Sequence, residues 1–230
     1  MENRIDVLDR GFVRLVDSMG NDLSVVRAAR VSYDAAWRAG EDTGSDRRLI
    51  HYLMKNQHTT PFEAVTFTFE VYAPIFVFRQ WHRHRTHSYN ELSARYRELP
   101  DNFYLPQPEQ VGVQATQNKQ GRDTDGMTPE LLEQRQMQIE RVRTHLQQSF
   151  TLYHELIEEG WPKELARIVV PVSTYSHMFT TMNLLNLLKF LNLRLHPHAQ
   201  YEIRVYAEAM ATLIESVVPV CVEAWKSTLS

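Results

Sequence analysis

Between Phe78 and Arg97 the chain carries five arginines (Arg79, Arg83, Arg85, Arg95 and Arg97), no lysine, and Glu91 as its only acid. Solvated charge runs normally mix lysine and glutamate with arginine. Exclusive use of guanidinium instead points to planar, bidentate recognition of phosphate or a similar anion. His82, His84 and His87 lie in the same stretch, but among fixed cations, without thiolate or acidic co-ligands beyond Glu91, and at spacings that share no single helical face. No metal site is expected from them. Ser88 and Ser93 are not read as nucleophiles, because no paired Asp-His arrangement accompanies them; anion binding accounts for both.

A formal net charge of −3 argues against a protein that coats nucleic acid, since polymer binding normally needs a basic face and gains affinity by releasing counterions. The arginine cluster must serve something smaller. There are eight glycines and neither a G-x-G-x-x-G nor a Walker pattern, so any phosphate must be held by arginine side chains rather than a glycine loop. Cys221 is the single cysteine, which excludes an internal disulfide and argues against thiolate zinc. Set in the apolar stretch "SVVPVCVEA", it reads as a small buried hydrophobe. The 230 residues, 43% apolar and 23% charged, suit one soluble domain. The acidic amino end lacks an apolar signal core and no run reaches bilayer length, so a cytoplasmic location without a membrane partner is expected.

The elements that must position these side chains follow from periodicity and caps. Two short strands flank Asp9-Arg10-Gly11, Gly20-Asn21 makes a turn, and Asp22 caps a helix. Asp46 caps a second helix with Leu49, Tyr52 and Leu53 on one face. Val65, Phe67, Phe69 and Val71 alternate with Thr66, Thr68 and Glu70 as a half-buried strand. Pro74 opens a helix through "IFVFRQWHRHR", so the arginine motif starts on a helix and leaves it near Ser88-Tyr89-Asn90. Residues 106–127 read as a long polar surface loop. Thr128-Pro129-Glu130 starts a long helix reaching Gly160, and helices follow over 163–169, 184–195 and 199–217. The expectation is an α+β fold: a single helix-rich domain over 1–230 with a small antiparallel sheet.

Arg83-His84-Arg85, Ser88, Asn90, Ser93 and Arg95 match the R-H-R-x-x-S-x-N-x-x-S-x-R signature of the flavin-dependent thymidylate synthases. The chain also resembles that family in "GFVRLVDSMGNDLSVVRAARVSY", "HTTPFEAVTFTFEVYAPIFVFRQW", "ELARIVVP" and "FLNLRLHPHAQYEI", nearly everywhere except the polar loop. The resemblance implies a homotetramer that methylates dUMP to dTMP, with FAD in sites shared between subunits, methylenetetrahydrofolate as carbon donor, NADPH as reductant and no cysteine nucleophile. It implies dUMP binding by Gln80, Arg83, Glu91, Ser93, Arg95, Arg167 and Arg194, with Arg167 reaching in from a neighbouring subunit and Arg194 activating the uracil ring. It implies FAD contacts at Ser32, His58, Thr60, Arg83, His84, Arg85, Asn90, Glu91 and Asn183.

One departure weakens the FAD contact set. The family's N-x-R pattern, with a polar residue four beyond it, becomes Asn183-Leu184-Leu185 followed by Lys189. Leu185 cannot replace a guanidinium, which leaves Lys189 as the candidate point charge. Two other readings stay open: a non-catalytic flavin- or nucleotide-binding module, and a small RNA-binding protein using "FRQWHRHRTHSY", which the net charge disfavours.

Overall fold

The structure, a computed structural model, describes residues 3–116 and 119–229. The chain opens with a hairpin of β1 (Arg4–Val7) and β2 (Gly11–Met19). Gly11 is required there: a Cβ would run into the Tyr206 hydroxyl and the Tyr72 and Val7 carbonyls. Helix α1 (Asp22–Arg30) is capped by Asn21, not by Asp22 as expected. Asp22 is used elsewhere. Its carboxylate accepts from the backbone N–H groups of Val220 (3.0 Å) and Cys221 (2.9 Å), at the start of the last helix.

Helix α2 (Thr43–Lys55) is likewise capped one turn earlier than expected, by Asp42, whose carboxylate takes the Ser45 N–H at 3.0 Å. Asp46 is buried inside the helix. It takes the Gly40 N–H at 2.7 Å and pairs with Arg30 at 2.6 Å. The inward stripe is therefore Asp46, Ile50 and Leu53, and Tyr52 faces outward.

Strand β3 (Thr66–Pro74) follows the expected alternation, with Val65, Phe67, Phe69 and Val71 fully buried. Helix α3 (Ile75–Trp81) then buries Val77, Phe78 and Trp81 and stops before the arginine motif. Arg83–His87 form a turn, and Ser88–Glu91 are strand β4, so the motif does not start on a helix. The Tyr89 hydroxyl lies 2.9 Å from the Trp81 carbonyl and 2.7 Å from that of His84. Its single O–H, directed between them, takes up acceptor capacity that a continuing helix would have used.

The polar stretch 106–127 is not featureless. It holds α4 (Pro108–Val111) and a two-stranded hairpin of β5 (Val113–Gln114) and β6 (Arg122–Asp123). Helix α5 (Pro129–Glu158) starts at the Thr128 cap as expected. With α6 (Lys163–Ala166) and the tight turn Arg167–Val169, it packs on a small second core of Ala94, Leu99, Phe150, Tyr153 and Ala166. Strand β7 (Tyr175–Asn183) runs straight into α7 (Leu184–Arg194); α8 (Tyr201–Ile214) and α9 (Pro219–Lys226) complete the chain.

The five-stranded sheet has the order β1-β2-β3-β7-β4, every pair antiparallel. Sequence reasoning found neither β7, which lies between β3 and β4, nor β4 itself. Helix α8 packs on β1 and β2, and α7 packs on α8, enclosing the main core with Trp81, Phe190, Tyr206 and Met210. Cys221 is fully buried in that core, as expected. No helix among the described residues is long and apolar enough to cross a membrane.

Candidate functional site

The end of α3, the Arg83–His87 turn and the end of α7 converge on one guanidinium. Arg194 closes α7; its Nε donates to His84 Nε2 at 3.0 Å and its Nη2 to the Gln80 carbonyl at 3.0 Å. The half-buried cation is thus fixed from two sides, with its remaining N–H groups available to a ligand. A nitrogen that accepts from a guanidinium must be unprotonated. Consistently, burial first, then Arg194 and His87, pushes His84 down to about 4. His87 is buried and also lowered to about 4 by its desolvation; its Nε2 sits 3.4 Å from the Asn186 carbonyl, and its Nδ1 has no partner among the described residues. The Phe190 ring backs both imidazoles, at 4.8 Å from His84 and 5.8 Å from His87. Near neutral pH the histidines are uncharged and the positive charge belongs to Arg83, Arg85 and Arg194.

Arg83 and Arg85 are exposed, and among the described residues no carboxylate pairs with either. Past them the chain runs along β4, which carries Asn90 and Glu91, both exposed, opposite Phe179 and Met178. At the far end the Arg95 N–H reaches Ser93 Oγ at 3.3 Å. Glu164 then links two arginines: its carboxylate pairs with Arg95 at 3.3 Å and its carbonyl accepts from Arg167 Nε at 3.2 Å. Arg167 and Arg95 therefore flank the same glutamate within one chain, while β4 holds that group roughly 10 Å of strand away from the Arg83–His87 turn.

The remaining expected flavin residues come from other elements. Ser32 sits in the turn Val31–Tyr33 after α1, and His58 and Thr60 lie between α2 and β3, with the His58 ring 5.7 Å from Tyr52; all three are exposed. Asn183 caps α7, its Oδ1 accepting from the Asn186 N–H at 2.9 Å; its amide NH2 is left for a ligand. Leu185, at the position where the family pattern leads one to expect a guanidinium, is half-buried against the main core, and Lys189 is exposed. The departure from the family pattern is thus built into the packing. Sequence reasoning missed Gln200 and Glu202, which the Gln80 side chain reaches through a chain of hydrogen bonds. The only signal was an acid on the otherwise apolar face of α8.

The donor set suits a flavin dinucleotide. Two guanidiniums without acidic partners, uncharged imidazoles backed by an aromatic ring and an outward amide offer N–H donors and positive charge to a diphosphate without a competing anion.

Comparison with known proteins agrees. A family profile described as "Thymidylate synthase complementing protein" matches residues 14–220. The flavin-dependent thymidylate synthase of Treponema pallidum (strain Nichols) is 47% identical over 221 residues, covering 95% of this chain and 70% of that protein. The Thermotoga neapolitana enzyme of the same name is 46% identical over 222 residues, covering 96% and 94%. Among solved structures, the UMP/dUMP methylase PolB from Streptomyces cacaoi bound with 5-Br dUMP superposes with a TM-score of 0.85 at 38% identity, over 97% of each chain. With the motif lying inside the residues the profile matches, and relatives at 46–47% identity covering 95–96% of the chain, the chain belongs to the flavin-dependent thymidylate synthase family.

Proposed function

We propose that this protein converts dUMP to dTMP by reductive methylation, taking the carbon from methylenetetrahydrofolate and the electrons from NADPH, with Arg194 as the residue that activates the pyrimidine. The observation that carries the assignment is the fixed guanidinium of Arg194, pinned by His84 of the family signature and by the Gln80 carbonyl just before that signature. Bound FAD supplies hydride carriage between NADPH and the nucleotide. Arg83, His84, Arg85, Asn90, Glu91 and Asn183, with Ser32, His58 and Thr60, are the residues that would hold it. Gln80, Arg83, Glu91, Ser93, Arg95, Arg167 and Arg194 would hold dUMP, the arginines at Ser93 receiving the phosphate.

The chemistry asked of Arg194 is electrostatic. Uracil carbon 5 becomes nucleophilic more readily when the ring nitrogen between the carbonyls gives up its proton, and a fixed cation at that edge stabilises the anion. Lowering that ionisation by two pK units requires about 2.7 kcal/mol, and a hydrogen bond to a charged group contributes about 1.5–3 kcal/mol. One guanidinium is nearly sufficient. His84 assists by remaining neutral: it orients Arg194 without adding a second cation. Cys221 takes no part, since burial holds its thiol far above the ordinary range and it is enclosed in the core.

A homotetramer with shared sites is part of the same proposal. Apolar side chains around Arg167 are exposed, Ile168 at 70% and Val172 at 59%, as expected of a face that meets another subunit. The decisive experiment is the visible absorption spectrum of the purified protein before and after anaerobic NADPH, without and then with dUMP. A yellow protein bleached faster when dUMP is present supports the electron path. One that holds FAD but leaves NADPH unoxidised is a binding module instead.

A further inference from the structure

Gln80 holds Arg194 through its backbone carbonyl, and the orientation of its side chain is dictated by Glu202, which belongs to none of the expected site residues. Glu202 is a carboxylate in the first turn of α8, 1% exposed. Its Oε1 accepts from Arg122 Nη1 at 2.9 Å and from the Tyr104 hydroxyl at 3.0 Å, and its Oε2 accepts from Gln200 Nε2 at 2.8 Å. Burial and the Glu202 charge raise the Tyr104 phenol well above its ordinary value, so it stays a donor.

A carboxylate can only accept. Gln200 must therefore turn its NH2 towards Glu202 and its carbonyl oxygen away, and that oxygen receives Gln80 Nε2. The Gln80 amide is oriented in turn, with NH2 towards Gln200 and Oε1 left for a ligand. Two amides alone could flip together at little cost; the carboxylate at the end of the chain removes that symmetry.

We propose that Glu202 is a positioning residue for the reaction: acting through Gln200, it holds the Gln80 amide so that Oε1 meets the bound nucleotide as a hydrogen-bond acceptor. This rests on the reading of Gln80 as a dUMP-binding residue. Arg122, which neutralises Glu202, comes from the polar stretch 106–127, so that stretch supports the substrate site from behind.

The test is a dUMP titration of the FAD-loaded enzyme, read by the flavin spectrum, for Glu202→Gln, Gln80→Leu and the double variant. Glu202→Gln keeps shape but lets the amides reverse. It should raise the dUMP Kd about three- to tenfold, the range of one ordinary hydrogen bond, with flavin content retained and kcat at saturating dUMP changed less than Kd. Adding Glu202→Gln to Gln80→Leu should cost nothing further. Gln200→Leu, at an exposed position that leaves the buried charge untouched, should reproduce the effect and covers the case in which Glu202→Gln fails to fold. Additive losses in the double variant, or equal falls in flavin content and kcat, would make Glu202 merely structural and overturn the relay. An unchanged Kd in Gln80→Leu would instead remove Gln80 from the nucleotide site, a failure distinguishable from that of the relay.

Discussion

Arg194 and His84 form a pair in which only one partner carries charge, and this sets what each substitution should do. Arg194→Ala should retain FAD, because the proposed flavin donors lie on other residues, yet lose at least about a hundredfold in kcat, the usual cost of removing one electrostatic donor. Single-turnover methylation at saturating dUMP measures this, and wild-type turnover would refute the assignment. Arg194→Lys should recover only part, since a point charge cannot hold His84, the Gln80 carbonyl and a ligand edge together. The histidines also make a stability prediction. His84 and His87 both sit near 4 in the fold against an ordinary 6.5, so the unfolded chain binds more protons between those values. Stability is therefore full above about 6.5 and falls as pH drops towards 4. His87→Asn should flatten that decline in urea midpoints measured across the window; a slope unchanged from wild type would count against the burial argument.

The elements show where the sequence was legible. Strand β3 could be read because each inward position is a large hydrophobe. Strand β7 could not, because its buried side includes Ser176 and Thr180 while Phe179 points outward at 42% exposure; apolar alternation, the main strand signal, is absent. Strand β4 reads Ser-Tyr-Asn-Glu and owes its form to pairing with β7. The caps of α1 and α2 were misplaced because each helix start has two acceptable capping residues close together, and long-range partners decide which is used. The site divides the same way. The arginine types and family signature could be read from local spacing, whereas Gln200 and Glu202 lie far along the chain from Gln80. Strand β7 carries its own prediction. Thr180 is fully buried, and among the described residues its hydroxyl has no hydrogen-bond partner, so Thr180→Val, nearly identical in shape, should stabilise the fold by about 1 kcal/mol. A lower denaturation midpoint would mean that the hydroxyl has a partner in solution.

At the scale of the molecule, the two arginine groups stand at opposite ends of β4, and the proposed assembly joins one subunit's group to another's. Co-expression of two inactive variants tests this directly. Arg167→Ala and Arg194→Ala damage different ends, so mixed tetramers should contain some sites with both arginines intact and recover a measurable fraction of wild-type turnover. No recovery, with mixed tetramers demonstrated, would place each complete site within one chain. The bond from Asp22 to the backbone of Val220 and Cys221 reaches across nearly the whole sequence, and it bears on synthesis. A nascent chain can make the β1-β2 hairpin and α1 early, but the core beneath them stays open until α9 has left the ribosome and found its cap. Closure waits on the last helix, and during translation the sheet's apolar face is the surface that a chaperone would meet.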